Sequence, residues 1–161
     1  MTNLKTLKRR KLRNSEYYNL QAVFDKLYAA SKNGKRFTHL LDIIQSDENI
    51  RLAYRNLKTN NGSKTPGADG KTIDDLKRWN DTDLIRNIRK SLSWYSPGKV
   101  RRVEIPKDNG KTRPLGIPTI KDRLIQQCVL QVLEPVCEAK FFERSNGFRP
   151  NRSAEHAIAQ A

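Results

Sequence analysis

Residues Val100 to Arg123, VRRVEIPKDNGKTRPLGIPTIKDR, leave this part of the chain little choice of fold. Strand side chains alternate between faces, so Arg101, Val103 and Ile105 share one face, with Arg102 and Glu104 on the other. Pro106 cannot donate to a ladder and closes the run. Asn109-Gly110 supplies residues that tolerate positive φ in a tight hairpin turn. The return strand, Lys111 to Ile117, places Arg113, Leu115 and Ile117 on a common face. After Pro118, Thr119 is placed to cap a helix, and Asp122 to favour its positive end. The result is a hairpin feeding a helix, with Arg101, Lys107, Lys111, Arg113 and Arg123 along it. Guanidinium forks grip phosphate oxygens in pairs and lysines add point charge, so the cluster suits polyphosphate. A solvated hairpin whose charges keep the chain soluble fits the pattern equally well.

RRVEIPK, TRPLGIPT and DRLIQQ together resemble the fingers region of group II intron reverse transcriptases, the intron-encoded maturases. GFRPNRSAEHAI, Gly147 to Ile158, resembles that family's next block, and NNGSKTPGADG, Asn60 to Gly70, resembles its first. The three blocks occur in the family's order and, with the stretches between them, span residues 60 to 158.

The resemblance implies an α+β fold: a mostly helical N-terminal part with a β-hairpin, like the fingers and beginning of the palm of a right-hand polymerase. Residues 1–17 are then a basic N-terminal arm. Residues 18–99 form a helical extension with a template-covering loop at 60–70, and 100–161 hold the fingers hairpin, its helix and the start of the palm. Carried over residue by residue, Arg101, Lys107, Arg113 and Arg123 contact the phosphates of an incoming nucleotide, with Lys111 a weaker member. Phe148, Arg149 and Pro150 shape the pocket near the nucleotide sugar or template. Asn60, Gly62, Pro66, Gly67, Asp69 and Gly70 form the loop over template or intron RNA.

The implied partners are intron or template RNA and, for the full-length protein, a DNA target and dNTPs, in RNA splicing and retroelement mobility. Polymerisation in that family relies on two metal ions, Mg²⁺, held by palm aspartates. Those aspartates lie in motifs after the GFRP block, and family members run on for several hundred residues. Asp69, Asp74, Asp75, Asp81 and Asp83 match none of those positions. The expectation is therefore a fragment of a reverse transcriptase that does not polymerise alone, with no catalytic residue or metal ligand of its own.

Charge agrees with a polyanionic partner. The 161 residues carry a net charge of +15, which speaks to partners and not to fold. No apolar run is long enough to span a bilayer, and the N-terminus lacks a signal peptide's apolar stretch. Cys128 and Cys137 lie on or near one expected helix and read as reduced packing residues of a cytoplasmic protein. His39 and His156 have no cysteine or histidine at ligand spacing, which argues against zinc. Gly70-Lys71-Thr72 resembles the end of a P-loop, but the glycine required five residues earlier is Thr65.

Along the chain, residues 1 to 13 contain Lys5, Lys8, Arg9, Arg10, Lys11 and Arg13 and no acid, an arm suited to phosphate contact. Leu20, Val23, Phe24, Leu27 and Tyr28 follow helical spacing until Asn33-Gly34. A short helix is expected over Thr38 to Ile44. Ser46 caps the next, with Ile50, Tyr54 and Leu57 inward and Arg51, Arg55 and Lys58 free to meet RNA or water. Asn60 to Gly70 reads as a flexible loop whose glycines allow close approach to a sugar-phosphate backbone. Thr72 with Asp75 is a capping-box variant, carrying Ile73, Leu76 and Trp79 inward. Asp81 or Thr82 caps a helix with the stripe Leu84, Ile85, Ile88 and Leu92. Trp94 and Tyr95 then stand beside basic residues, able to stack on bases or to pack under the hairpin.

The helix from Thr119 to about Val136 is apolar on more than one face, with Pro135 expected to end or kink it. Gln126 and Gln127 are candidate hydrogen-bond donors to template or substrate. Phe141 and Phe142 are core candidates, and Arg149 projects from a turn. The competing class is a stand-alone basic RNA-binding protein, which explains the charge but not three ordered blocks.

Overall fold

The computed structural model describes residues 13–160. The expected contacts of Lys8, Arg9, Arg10 and Lys11 therefore lie outside the described residues. Helices dominate: α1 (Asn14–Tyr17), α2 (Gln21–Lys32), α3 (Leu40–Ile44), α4 (Asp47–Thr59), α5 (Ile73–Leu76) and α6 (Asp81–Ser93) precede the hairpin. The hairpin strands are β1 (Arg101–Pro106) and β2 (Thr112–Ile117), followed by α7 (Ile120–Glu138) and α8 (Ala154–Ala159). The architecture is α+β, a helical body carrying one two-stranded antiparallel sheet.

Helix starts follow side-chain chemistry. The Ser46 hydroxyl accepts from the Asn49 amide at 3.3 Å, and Thr119 Oγ1 accepts from the Asp122 amide at 3.1 Å. Thr72 and Asp75 form the expected reciprocal box. At α6 the cap is Asn80, whose Oδ1 accepts from the Asp83 amide at 2.8 Å, in place of the expected Asp81 or Thr82. Asp81 is instead the first helical residue, where its carboxylate grips Arg51.

The long helix α7 is the centre of the body. It packs on α2 and α4 over most of its length and touches α3 and α6. Ile120, Leu124, Ile125, Cys128 and Val132 join Leu27, Ile50, Ala53, Leu57, Ile73 and Ile88 in one apolar cluster. The core therefore runs across the hairpin insertion, uniting helices from both sides of it. Pro135 does not end α7, which continues to Glu138.

A polar network crosses this core. The wholly buried Asn49 donates to the carbonyls of Ile44 at 2.8 Å and Cys128 at 3.0 Å. Gln131 Nε2 donates to the Asn49 backbone carbonyl and to its Oδ1, and Gln131 Oε1 accepts from Asn56. A fully satisfied network inside apolar packing sets the rotation of α7 relative to α4.

Several apolar side chains stay in water. Phe141 and Phe142, expected in the core, are exposed. Trp79 lies beyond the last turn of α5 and is 37% exposed, unlike Ile73 and Leu76. On α7, Leu130 is 54% exposed. With Leu41, Leu133, Phe141 and Phe148 it lines an apolar groove of about 980 Å³. The expectation of a helix apolar on several faces holds, and one of those faces is open.

Cys128 is buried in the core, whereas Cys137, also expected to pack, is exposed. Burial pushes the Cys128 thiol up to about 12. At pH 8 iodoacetamide should therefore modify Cys137 alone, with Cys128 reacting after denaturation; mass mapping of the adducts checks this. Replacing Asn49 by leucine should strand Gln131 and cost about 2–3 kcal/mol, read as a lower urea midpoint.

Candidate nucleic-acid interface

The hairpin departs from the helical body, and its extensive packing is strand on strand. The register pairs Arg101 with Ile117, Val103 with Leu115 and Ile105 with Arg113, so these six residues share one face. In the loop, Lys107 N donates to Lys111 O at 2.7 Å and Gly110 N donates to Lys107 O at 3.0 Å. Gly110 takes a φ of +75° while Asn109 does not enter the left-handed region. The connection is thus a turn ending in one left-handed glycine, wider than a two-residue Asn-Gly turn. Asn109 instead accepts the Lys111 amide on its side chain.

Lys107 and Lys111 therefore face each other across the loop base. Lys107, Lys111, Arg113 and Arg101 form no ion pair among the described residues. Buried Nε donors of Arg101 and Arg123 also lack a partner there. On the helical body several arginines are engaged. Arg51 holds Asp81 through two nitrogens, and Arg89 holds Asp47 and the Gln45 carbonyl. Arg13 pairs with Glu16, and Arg55 lies over the Tyr17 ring at 5.3 Å.

Asp122 anchors the hairpin's root. Its buried carboxylate accepts from the Thr119 hydroxyl at 2.6 Å, the Gly98 amide at 3.0 Å and the Tyr95 hydroxyl at 3.1 Å. Gly98 is required there, since a Cβ would sit 2.7 Å from Thr119 Cγ2 and 2.9 Å from Asp122 Oδ2. Burial, with the hydrogen bond to Asp122 adding to it, raises the Tyr95 phenol above its ordinary value. Sequence reasoning saw Asp122 as a helix-start residue and missed this role, which depends on partners 24 and 27 residues away.

Arg123 does something other than point at solvent. Its two terminal nitrogens donate to the carbonyls of Gly62 at 2.7 Å and Thr65 at 2.6 Å. Burial draws it below the ordinary arginine value, with Asp69 pulling the other way. The loop it holds has local structure of its own. Residues Asn61–Lys64 form a 3₁₀ turn capped by the Asn60 side chain, and Ser63 is buried. Gly67 is also buried, and its close approach is to protein: a Cβ would meet Thr119 Cα at 2.7 Å and the Pro118 carbonyl at 2.9 Å. Pro66 is half-buried beside it, while Asp69 and Gly70 are exposed. Asn60, Gly62, Pro66 and Gly67 are thereby brought against the start of α7.

Arg149 corrects the expectation of a projecting guanidinium. It holds Glu138 at the end of α7, donates to the carbonyls of Phe142 and Ser145 at 2.8 Å each, and lies over the Phe141 ring. Phe148 just before it is fully exposed at a φ of +56°, a strained value for a bulky residue. Phe148 and Pro150 border the apolar groove.

No family model matches the chain. Protein YkfC of Escherichia coli is 41% identical over 133 residues, covering 81% of this chain and 35% of YkfC. The group II intron-encoded protein LtrA of Lactococcus lactis is 38% identical over 123 residues, 76% of this chain and 20% of LtrA. The chain belongs to the group II intron-encoded proteins. Nuclear intron maturase 1 of Arabidopsis thaliana is also similar, 33% identical over 88 residues. The chain spans 35% of the length of YkfC and less of the other two relatives.

The contacts of Arg123 carry a prediction for this intron-encoded chain. Arg123→Lys leaves one ammonium, which cannot bridge two carbonyls as the fork does. Amides of Ser63 and Thr65 should then exchange with deuterium about tenfold faster, the equivalent of one charged hydrogen bond of about 1.5 kcal/mol. Hairpin amides should be unchanged.

Proposed function

We propose that this chain is the fingers and the beginning of the palm of a group II intron reverse transcriptase and maturase. It binds intron or template RNA and the phosphates of an incoming nucleotide, and acts in the cytoplasm. The observation that carries this reading is the hairpin strip: Arg101, Lys107, Lys111 and Arg113 make no ion pair among the described residues, while Arg51, Arg89 and Arg149 of the body each hold an acid. Unpaired cations on a projecting hairpin are free to meet phosphate, and Arg113 offers a fork for two oxygens. The loop from Asn60 to Gly70, held by Arg123 at the start of α7, would lie along the template RNA. Phe148 and Pro150 line the side of the pocket toward the nucleotide sugar.

In the full-length protein the partners are intron RNA, a DNA target and dNTPs, and Mg²⁺ supplies the polymerisation chemistry. Among the described residues no group of three or more His, Cys, Asp or Glu side chains is placed to hold a metal ion. The described residues do not fit that site. None of the described helices is long and apolar enough to cross a membrane.

RNA affinity should fall steeply with salt, with a log–log slope near −4 if about six phosphates are neutralised on a single strand. Lys107→Ala with Arg113→Ala should make that slope shallower by about 1.4. An unchanged slope in filter-binding titrations would remove the hairpin from the interface. Primer extension by the purified 161-residue chain with RNA template, dNTPs and Mg²⁺ should give no incorporation. Template-dependent extension would require a carboxylate site elsewhere in the chain.

A further inference from the structure

A second aromatic and basic site lies behind the hairpin's root. There a cavity of about 370 Å³ is lined by Trp79, Trp94 and Tyr95, with Lys71 and Lys121 beside them. Trp94 is 88% exposed, so most of its indole has no protein cover. Its neighbours in the chain are anchored. The end of α6 fixes the residue before it, and the Asp122 carboxylate fixes Tyr95 and Gly98 just after it. A ring presented from a fixed stalk loses little freedom when it binds.

Of the four charged side chains that line it, Lys71, Lys121, Asp69 and Asp122, the two lysines are open to an anion. Lys71 and Lys121 make no ion pair among the described residues. Asp122 is saturated by its three donors, and Asp69 accepts the Lys71 backbone amide. An exposed indole with free ammonium groups beside it matches a nucleotide unit, which offers an aromatic face and a phosphate together. Base faces are covered by neighbours in a duplex, so the fitting ligand is a single strand.

We propose that Trp94, with Lys71 and Lys121, is a stacking site for a base of single-stranded nucleic acid, separate from the phosphate strip of the hairpin. The proposal rests on the reading that the chain binds nucleic acid, but not on the nucleotide-phosphate role of Lys107 and Arg113. Alanine at a stacking position costs about tenfold in affinity.

The chain has two tryptophans, so Trp79→Phe leaves Trp94 as its single indole reporter. The 161-residue Trp79→Phe chain is titrated with oligouridine RNA, oligothymidine DNA and an abasic strand of equal length. Trp94 emission should be quenched by the base-bearing strands and not by the abasic one. In the otherwise native chain Trp94→Ala should weaken oligouridine binding about tenfold, with Trp94→Phe retaining most of the affinity. Lys121→Ala should make the salt slope shallower by about 0.7. Quenching by RNA alone or by both polymers supports stacking and assigns the ligand accordingly. Equal affinity for base-bearing and abasic strands with unchanged emission overturns it, leaving the indole as cover for a protein surface. Quenching that persists while the Lys107→Ala, Arg113→Ala slope stays unchanged removes the hairpin reading and leaves this one standing.

Discussion

The carboxylate of Asp122 joins three pieces of chain that are distant in function and partly in sequence. It accepts from the linker that ends α6, from the turn that enters β1 and from the cap of α7. A buried carboxylate is costly unless its oxygens are filled, and filling them here requires the linker to lie against the first turn of α7. A two-stranded hairpin is marginal by itself, and this one has little packing beyond its own strands. Its direction is therefore set at its root. The next residue along α7, Arg123, ties down the loop from Gly62 to Thr65. Two adjacent side chains thus position the two segments that the functional reading needs.

Charge is distributed unevenly as a result. On the helical body, Arg51, Arg89 and Arg149 meet Asp81, Asp47 and Glu138. Such surface pairs add little stability, but they neutralise the body locally. On the hairpin and around Trp94, Arg101, Lys107, Lys111, Arg113, Lys71 and Lys121 make no ion pair among the described residues. A strongly basic chain that carries free cations on a projecting hairpin offers a polyanion a contact there.

The apolar groove beside α7 complements this picture. Leu130, Leu133, Phe141 and Phe148 leave a surface that water covers poorly. Phe148 reaches it from a left-handed backbone conformation, held between the turn at Gly147 and the tightly bonded Arg149. The strain is local and is stabilised by the Arg149 contacts to Glu138, Phe142 and Ser145.

Whatever depends on near neighbours was legible in the amino-acid order. The alternation of Arg101, Val103 and Ile105, the caps at Ser46, Thr72 and Thr119, and the stripe of α6 all arise within a few residues. The ordered blocks, too, were legible, and with them membership of the intron-encoded family. What sequence could not decide was the partner of each charged or aromatic group. Arg149 was read as projecting, yet Glu138 and two carbonyls enclose it; the glycines of the 60–70 loop were read as open to phosphate, yet Gly67 lies against Thr119. Phe141 and Phe142 look like core residues by type and are in water by position. Pairing and burial depend on which segments the packing of α7 brings together, and those segments are tens of residues apart. Local preference determined the elements; long-range packing decided which cations remained free.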